Sequence, residues 1–552
     1  MAIQLKKGIG ICIMKQGTYK AKLDEILKLP QFDKLPKGRK NAMNPVLKEE
    51  IRVVESLEQL RNDGKIDESL FQKLKPIGSQ PVRLYGLAKV HKTTIPARPV
   101  LSMPGSAYHK IGTQVGEWLS EVPECQINTS SKQIADSLKN IHLDEDEVLV
   151  SFDVTSLYTN VPVIEAINVC ADLLYNGKQQ APPVDRETFV TLAKLSSCNV
   201  VMSTLDGYYK QVDGLAMGSP PAPYLANGWL SQFDDTIKGE AKLYARYMDD
   251  IIMSIKRAHI TIKLSEINNL HPMLKFTIEY EVNGELPFLD MKVLNEKGSL
   301  SSTWYRKPTD TGLMLNYHAL APRRYKKSVV AGFVHRIYRC CSTWATFHES
   351  IEKAKVILEM NQYPPTFYEP IIRESLEKIL DNQKPAKHTS GDSPDTATET
   401  VGKHMIFVQY RGKCTEEFAR ALHKLNAPCA VVMTMRKLKT VLPSLKPAVE
   451  KKIRSRVVYK FHCPRCNACY VGATTRHICT RLKEHLKPSA VFGKHREVCR
   501  ARRIDIEEVE ILASSARSDT YLFTLEALHI RMIRPTINTK DEWKGRELTI
   551  KL

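Results

Sequence analysis

The chain has 552 residues and a formal net charge of +20, from 81 Lys and Arg against 61 Asp and Glu. This length exceeds one ordinary core, so three or four structural units are expected. The positive charge favours nucleic acid or an anionic membrane as partner. Because no apolar run reaches the roughly 18 residues that a membrane span needs, we expect nucleic acid and no membrane partner.

The predicted elements of the first 381 residues mix strands and helices. Residues 147–158, EVLVSFDVTSLY, predict an apolar strand that ends in a turn, and helical periodicity follows at 163–175. A helix candidate at 223–237 precedes the strand pair KLYARYMDDIIMSIK at 242–256. This order of elements predicts an α+β, multidomain fold.

Three aspartates stand at the ends of these predicted strands. Asp153 closes the first strand, and Asp249 and Asp250 are adjacent within the apolar strand pair. Two like charges side by side repel unless a cation lies between them. Carboxylates on neighbouring strand ends hold two divalent ions about 3.5–4 Å apart, and hard oxygen ligands favour Mg²⁺. The pattern indicates a two-metal site; the alternative is that each aspartate only caps a turn.

The second part of the chain begins after a polar stretch. Residues 382–402, NQKPAKHTSGDSPDTATETVG, are rich in Pro, Ser, Thr and Gly and predict a linker. Residues 403–450 then predict a small strand, helix, strand unit of unknown role. Another mixed unit occupies 451–552. Thirteen cysteines, five of them between Cys463 and Cys499, predict a reducing compartment with thiols and one metal site rather than a disulfide scaffold.

Two of these stretches resemble motifs of reverse transcriptases. The tetrapeptide YMDD at 247–250 matches their signature, and Phe152-Asp153-Val154 resembles their first catalytic motif. The resemblance implies a right-hand fold of fingers, palm and thumb, with the three aspartates as catalytic ligands of paired Mg²⁺. The segment LYGLAKVHKTTIPARPVLS at 84–102 looks like the fingers, which implies that Lys89 and Arg98 hold the incoming triphosphate.

Further motifs lie in the order that this family has. GLAMGSPPAPYLAN at 214–227 resembles the motif in which Met217 and Gly218 let the backbone approach the nucleotide, and LPFLDMKV at 286–293 resembles the primer-gripping strand. Tyr158 stands where the family places an aromatic ring that collides with a 2′-hydroxyl and so selects deoxynucleotides. The alternative for Tyr158 is a half-buried core aromatic.

The amino-acid sequences of several stretches are similar to those of one class of these enzymes. YGLAKVHK, DVTSLYTNVP and GELPFLDMKV resemble Penelope-like retroelements, whose polymerase is akin to telomerase reverse transcriptase. The opening residues resemble an internal segment of those proteins, so a truncated or short member is expected. Basic stretches at 305–308 and 323–327 fall in the thumb, where they contact phosphates of a primer–template duplex or form a solvated charged face.

The last unit resembles the GIY-YIG endonucleases that Penelope-like elements carry after the polymerase. Tyr459 and Tyr470-Val471-Gly472 match the paired tyrosine motifs, although the first reads Val457-Val458-Tyr459 without its usual glycine. The resemblance implies that a glutamate holds one Mg²⁺ or Mn²⁺ ion, an arginine stabilises the phosphate charge, and a tyrosine or histidine assists water. The residues that match are Tyr459, Tyr470, Arg481, His485, Glu526 and Asn538. The alternative is two core tyrosines and a helix-surface ion pair.

A second metal site is suggested between the two tyrosine motifs. Cys463, Cys466 and Cys469 form overlapping C-x₂-C pairs, which suit Zn²⁺ or buried thiols. His495 and Cys499 are the nearest candidates to complete four ligands. The family uses two Cys and two His there, so Cys499 would replace the second His.

These features predict an RNA-directed DNA polymerase joined to a DNA-nicking endonuclease and acting in target-primed retrotransposition. The alternatives are a telomerase-like enzyme that extends existing 3′ ends with an inactive nuclease, and a catalytically dead nucleic-acid scaffold. The expected partners are template RNA, target or primer DNA and deoxynucleoside triphosphates, in the nucleus. The expected domains are fingers 1–110, palm 111–295, thumb 296–381, linker 382–402, connecting α/β unit 403–450 and nuclease 451–552.

Overall fold

The computed structural model describes residues 2–4, 11–36, 42–88, 95–126, 130–177, 181–381, 404–425, 429–435, 444–515 and 518–538. Strands of these residues are β1 Ala2–Gln4, β2 Ile11–Ile13, β3 Phe32–Lys34, β4 Val82–Ala88, β5 Ala97–Ser102, β6 Glu147–Val154, β7 Val200–Thr204, β8 Gly207–Gln211, β9 Tyr244–Tyr247, β10 Asp250–Lys256, β11 Phe276–Tyr280, β12 Glu285–Phe288, β13 Met291–Glu296, β14 Ser299–Trp304, β15 His404–Gln409, β16 Cys429–Thr434, β17 Val457–His462, β18 Cys469–Thr474 and β19 Glu510–Ser514. The helices are α1 Gln16–Leu27, α2 Pro45–Asn62, α3 Glu68–Leu74, α4 His109–Leu119, α5 Ser131–Ser137, α6 Leu157–Asn160, α7 Val163–Asn176, α8 Arg186–Ser197, α9 Ala222–Lys238, α10 Ile260–Asn268, α11 Arg323–Cys340, α12 Trp344–Met360, α13 Pro365–Asp381, α14 Lys413–Lys424, α15 Ile478–His485, α16 Val491–Cys499 and α17 Asp519–Ile533.

A four-stranded antiparallel sheet in the order β11-β6-β10-β9 lies between two hydrophobic cores. Ile251 and Met253 of β10 pack into the core that also contains helices α7 and α9. Ile252, which points to the opposite face, packs into the core of the following helices. Because both faces are covered, β10 is apolar without alternation, which explains why Asp250 and the preceding Asp249 stand out in the sequence.

A five-stranded sheet in the order β3-β8-β7-β4-β5 forms the amino-terminal part of the fold. Strands β7 and β8 come from the sequence region expected to be palm, yet they pair with strands of the expected fingers. The sheet therefore spans the boundary drawn at residue 110. Strand β5 is an edge strand of this sheet, so its free backbone groups can form hydrogen bonds with the loop that follows β8.

The region after the central sheet is a three-stranded sheet, β12-β13-β14, packed on helices α11 to α13. The sequence suggested one primer-gripping strand at 286–293, but the structure breaks it into β12 and β13. Leu289 adopts a φ of 55° at the break, a left-handed conformation typical of a tight turn. Strand β13 also crosses the expected palm–thumb boundary at 295 and 296.

Two smaller units follow. Strands β15 and β16 are parallel and joined by α14, which confirms the strand, helix, strand prediction for this segment. The expected linker at 382–402 lies outside the described residues.

The last unit is an antiparallel sheet in the order β18-β17-β19, with α15, α16 and α17 around it. Val457, at the position where the resemblance to GIY-YIG endonucleases leads us to expect glycine, lies in β17 opposite Thr474 and Ser514, so valine is compatible with the strand.

This last unit docks on the amino-terminal part through buried polar groups. The hydroxyl of Ser455 donates to the carbonyl oxygen of Gly78 at 2.5 Å, and Nε2 of His477 lies 2.8 Å from the carbonyl oxygen of Ser79. Gly78 has a φ of 63° and no room for a Cβ, because the carbonyl oxygen of Thr475 occupies that space. The buried contact fixes the two units against each other. None of the described helices is both long and apolar enough to cross a bilayer.

Candidate active sites

The three aspartates of the first motif set meet at one end of the central sheet. Asp250 opens β10 directly opposite Asp153 of β6. Opposed residues of an antiparallel pair have Cα atoms about 4.5–5.5 Å apart, with both side chains on the same face. Asp249 precedes Asp250 in the turn, and its carbonyl oxygen accepts a hydrogen bond from the amide of Val154 at 3.1 Å. Three hard carboxylate donors at one place fit magnesium.

The loop after β8 builds the neighbouring wall of this site. The amide of Leu101 on edge strand β5 donates to the carbonyl oxygen of Met217 at 2.8 Å, and the amide of Leu215 donates to that of Tyr158 at 2.6 Å. Gly218 has a φ of 107° and no room for a Cβ against the carbonyl oxygen of Leu101. Glycine is therefore required at this position, where the loop after β8 lies directly against strand β5.

Tyr158 and Arg98 face the aspartates from this wall. Burial raises the pKa of Tyr158 to about 12, with the charge of Asp249 raising it and that of Arg98 lowering it, so all three lie in one electrostatic environment. Among the described residues Nε of Arg98 is buried and has no hydrogen-bond partner. A partly exposed guanidinium group with a buried nitrogen that lacks a partner suits an anionic ligand. Lys89, the second expected triphosphate contact, lies outside the described residues.

Tyr158 is also packed against the hydrophobic core, so its ring is held in place. Replacing Tyr158 with alanine is expected to raise ribonucleotide incorporation relative to deoxynucleotides by roughly 10–100-fold, the scale on which a pocket discriminates one small group. Competition between the two nucleotides in single-nucleotide extension measures this ratio. The Tyr158→Phe variant keeps the ring and is expected to select as the wild type does. Unchanged selectivity in the alanine variant would show that the ring is only a core residue.

The last unit gathers its candidate residues around Tyr459. Oη of this buried tyrosine lies 2.5 Å from Nε2 of His485, and Nε of Arg481 donates to the same oxygen at 3.4 Å. Burial raises the pKa of Tyr459, and the charges of Tyr470 and Glu526 raise it further, so both of these residues are close. Burial and the Arg481 cation lower the pKa of His485 to about 3. His485 is therefore neutral at physiological pH.

Glu526 and Asn538 are hydrogen-bonded to the backbone of β18, the strand that carries Tyr470. The carboxylate of Glu526 on α17 accepts from the amide of Ala473 at 2.6 Å, and Asn538 bonds both the amide and the carbonyl oxygen of Val471, at 2.9 and 2.7 Å. A Cβ at Gly472 would lie 2.7 Å from the Tyr470 ring and 3.0 Å from the Tyr459 hydroxyl. The glycine of the second motif is thus required by the approach of both tyrosines.

Four metal-ligand candidates converge beside this site. The ligand atoms of Cys463, Cys466, His495 and Cys499 all lie within 4.8 Å of one another. The Cys463 and Cys499 sulfurs are 3.9 Å apart, close to the ~3.8 Å that tetrahedral zinc with bonds of about 2.3 Å requires. The structure therefore places Cys499 in the fourth ligand position. Cys469 lies instead in β18 and is not part of the cluster.

The purified chain is expected to hold one zinc per molecule, measured by elemental analysis. Cys466→Ser is expected to lose this zinc, and a loss of only about 2 kcal/mol would lower the Tm of a 100-residue unit by roughly 10 °C. Cys469→Ser, which alters a neighbouring thiol outside the cluster, is the matched control and is expected to keep both. Equal zinc content in the two variants would contradict a zinc site at these four residues.

One residue of the first site was missed in the sequence. Arg246, in the middle of β9, is buried and contacts the turn that carries the aspartates. Its signal in the sequence is a lone cation inside an apolar strand, since buried arginine is rare unless it is paired.

The central sheet, which brings three aspartates together beside the loop after β8, belongs to a polymerase-like fold of mixed α/β, multidomain type. Residues 90–279 match the reverse transcriptase (RNA-dependent DNA polymerase) family, and residues 313–373 match the animal helix-turn-helix domain. The chain therefore contains a reverse transcriptase domain, whose substrates are an RNA template and deoxynucleoside triphosphates and whose usual cofactor is Mg²⁺. The helix-turn-helix match falls on α11, α12 and part of α13. No curated protein matches the chain.

The chain is also similar to several solved structures. Telomerase from Candida albicans in complex with a TWJ fragment of telomeric RNA gives a TM-score of 0.43 at 9% identity, over 70% of this chain and 68% of that chain. Apo telomerase from Candida tropicalis gives 0.38 at 9% identity, over 69% and 70%. The Sicinivirus RNA-dependent RNA polymerase gives 0.35 at 11% identity, over 57% and 71%. These likenesses are distant, and the reverse transcriptase class rests on the family match.

Proposed function

We propose that the chain is a reverse transcriptase of the Penelope-like type, joined to a DNA-nicking endonuclease of the GIY-YIG type and acting in target-primed retrotransposition. The proposed polymerase activity rests on the register between β6 and β10, in which Asp250 lies opposite Asp153 and Asp249 lies in the adjoining turn. The family match over residues 90–279 supports the same half. The proposed place of action is the nucleus.

Each residue of the proposed polymerase site has a separate role. Asp153, Asp249 and Asp250 would hold paired magnesium, whose chemistry when bound is to activate the primer 3′-hydroxyl and neutralise the phosphates. Arg98 supplies a cation for the triphosphate, and the Met217–Gly218 backbone lets the nucleotide approach the sheet closely. Tyr158 lies beside Asp249 and closes the space that a 2′-hydroxyl would need.

The nuclease half rests on the cluster around Tyr459. Glu526 would hold one Mg²⁺ or Mn²⁺, whose chemistry when bound is to polarise the scissile phosphate. Arg481 presents a positive charge to the developing phosphate charge, at a site where its own neighbours are two tyrosines and Glu484. Neutral His485 lies 2.5 Å from the Tyr459 hydroxyl and would orient this hydroxyl, which would assist the attacking water.

The buried contact between the nuclease unit and the fingers supports coupling of the two activities. Ser79 is fully buried, and His477 and Ser455 are 2% and 6% exposed, so the contact excludes water around its hydrogen bonds. A nuclease held at a fixed place on the polymerase keeps the cut 3′ end at a high effective concentration near the aspartates. The nick would then prime copying of the RNA.

Two alternatives remain, each with an observation behind it. An enzyme that extends existing 3′ ends, with the nuclease reduced to DNA binding, is favoured by Val457 in place of the motif glycine. A scaffold without catalysis is compatible with the basic charge of the chain. Against the scaffold, Asp250 lies opposite Asp153, and the charges of Asp249 and Arg98 both act on Tyr158. The charges of Arg481 and Glu526 likewise both act on Tyr459.

Two separate assays on the full chain distinguish these functions. Extension of a DNA primer on an RNA template tests the polymerase, and nicking of supercoiled DNA with Mg²⁺ or Mn²⁺ tests the nuclease. Activity in both assays is the expected result. Extension without nicking in either metal would favour the end-extending enzyme. Binding of duplex without either activity would favour the scaffold.

A further inference from the structure

A buried arginine is hydrogen-bonded to the turn between β9 and β10, next to the proposed catalytic aspartates. Arg246 is 7% exposed, and its Nε and Nη2 donate to the two carboxylate oxygens of Asp234, each at 2.7 Å. Its Nη1 donates to the side-chain oxygen of Asn227 at 3.0 Å and approaches the carbonyl oxygen of Met248 at 3.4 Å. Both acceptor side chains lie on helix α9, so the guanidinium group ties the turn to that helix.

The helix partners are themselves fixed. Asn227 is 1% exposed and donates through its amide to the carbonyl oxygen of Gln126 at 2.9 Å. Asp234 also accepts from the Tyr244 hydroxyl at 2.6 Å. A bidentate arginine with every partner anchored is a rigid support, because the planar fork permits one orientation only.

The turn needs such a support. It contains two residues, Met248 and Asp249, and Met248 has a φ of 58°, a left-handed conformation that is uncommon for a residue with a side chain. Residues in this region persist where the surroundings hold them. Arg246 holds the Met248 carbonyl on one side, and Val154 holds the Asp249 carbonyl on the other. The two supports together hold the backbone of the turn that carries Asp249 and leads into Asp250.

We propose that Arg246, clamped by Asp234 and Asn227 of α9, is a positioning residue that sets the spacing of Asp249 and Asp250 for divalent metal. This role rests on the proposed polymerase site. The guanidinium group of Arg246 is buried and bonded to Asp234, Asn227 and the Met248 carbonyl, so its loss would act through the aspartates. The consequence is a change in metal affinity and in the rate of the chemical step, with smaller change in nucleotide binding.

The test compares Arg246→Gln and Arg246→Lys in the full chain with Arg186→Gln, the control, whose arginine binds Asp172 on the exposed surface. Arg246→Gln is expected to lower kcat by roughly 100-fold, the cost of a misplacement of about 1 Å, with the KM for nucleotide changed far less. Manganese binding at the aspartates, measured by calorimetry without substrate in chains that also carry Glu526→Gln, is expected to weaken about tenfold. Arg246→Lys keeps the positive charge but lacks the planar fork of the guanidinium group. Its kcat and manganese affinity are expected to lie between those of Arg246→Gln and those of the Arg186→Gln control.

Two results separate the possible failures. A wild-type chain that binds no manganese at the aspartates and extends no primer would overturn the proposed polymerase site itself. A wild type that does both, with Arg246 variants that bind manganese and turn over normally after correction for the folded fraction by circular dichroism, would overturn the positioning role. An Arg246→Gln chain that does not fold leaves Arg246→Lys to decide, because normal manganese binding in that variant would contradict the requirement for the fork.

Discussion

Replacing Asp249 with asparagine is expected to reduce primer extension on an RNA template by about 1,000-fold. The substitution removes one negative charge from the carboxylate set that would hold the metal pair, which supplies several kcal/mol of transition-state stabilisation. Each loss of about 1.4 kcal/mol lowers the rate tenfold. The amide is isosteric with the carboxylate, and the backbone carbonyl of residue 249 still accepts from Val154, so the turn is expected to survive. Steady-state extension of a labelled primer measures the loss.

The matched control is Asp136→Asn, which removes an exposed carboxylate paired with Lys132 on α5. A surface pair of this kind contributes roughly 0–1 kcal/mol to stability, so extension is expected to be unchanged. Full activity of the Asp249→Asn chain would show that the aspartate cluster is not the catalytic centre. Loss of activity in both variants would point to a general effect on folding.

Replacing Glu526 with glutamine is expected to lower the rate of duplex DNA nicking by about 100–1,000-fold, while primer extension continues at the wild-type rate. The glutamine side-chain oxygen can still accept from the Ala473 amide, so the strand remains anchored to α17. What is lost is the negative charge that would hold the divalent ion beside Tyr459. Conversion of supercoiled to open-circular plasmid measures nicking, and extension is measured on the same preparation.

Glu507→Gln is the control for this substitution, because Glu507 is exposed in a 3₁₀ turn and its carboxylate lies 3.9 Å from Lys451. It is expected to nick and extend as the wild type does. Nicking by the Glu526→Gln chain at the wild-type rate would remove Glu526 from the nuclease mechanism. The two active sites would in that case have to be sought with different residues.

The sequence predicted the local elements because these depend on short-range pattern: the strand at 147–158 and the hairpin around Asp249 have clear apolar runs. The helix that carries Arg481 and His485 at a spacing of four residues was predicted for the same reason, and α15 contains both. The convergence of Asp153 with Asp249 and Asp250 was instead implied by the resemblance of their motifs to those of reverse transcriptases.

Contacts across long sequence separations were not predicted. Arg246 binds Asp234 and Asn227 through tertiary packing, and no period in the sequence marks those partners. The docking of Ser455 and His477 on Gly78 and Ser79 joins residues almost 400 positions apart. The break at Leu289 was missed since a left-handed turn at leucine lacks the glycine or asparagine that usually marks one. Cys499 was placed in the metal cluster from spacing alone, and the structure brings it there.

The most direct measurement uses one end-labelled DNA duplex, an RNA template and deoxynucleotides in a single reaction with the full chain. The proposed function predicts a labelled product longer than the nicked fragment, in which the cut strand is joined to new DNA complementary to the RNA. Asp249→Asn is expected to leave the nicked fragment unextended, and Glu526→Gln to leave the duplex uncut. Nicking and extension that occur separately, with no joined product from the wild type, would contradict coupled cutting and copying by this chain.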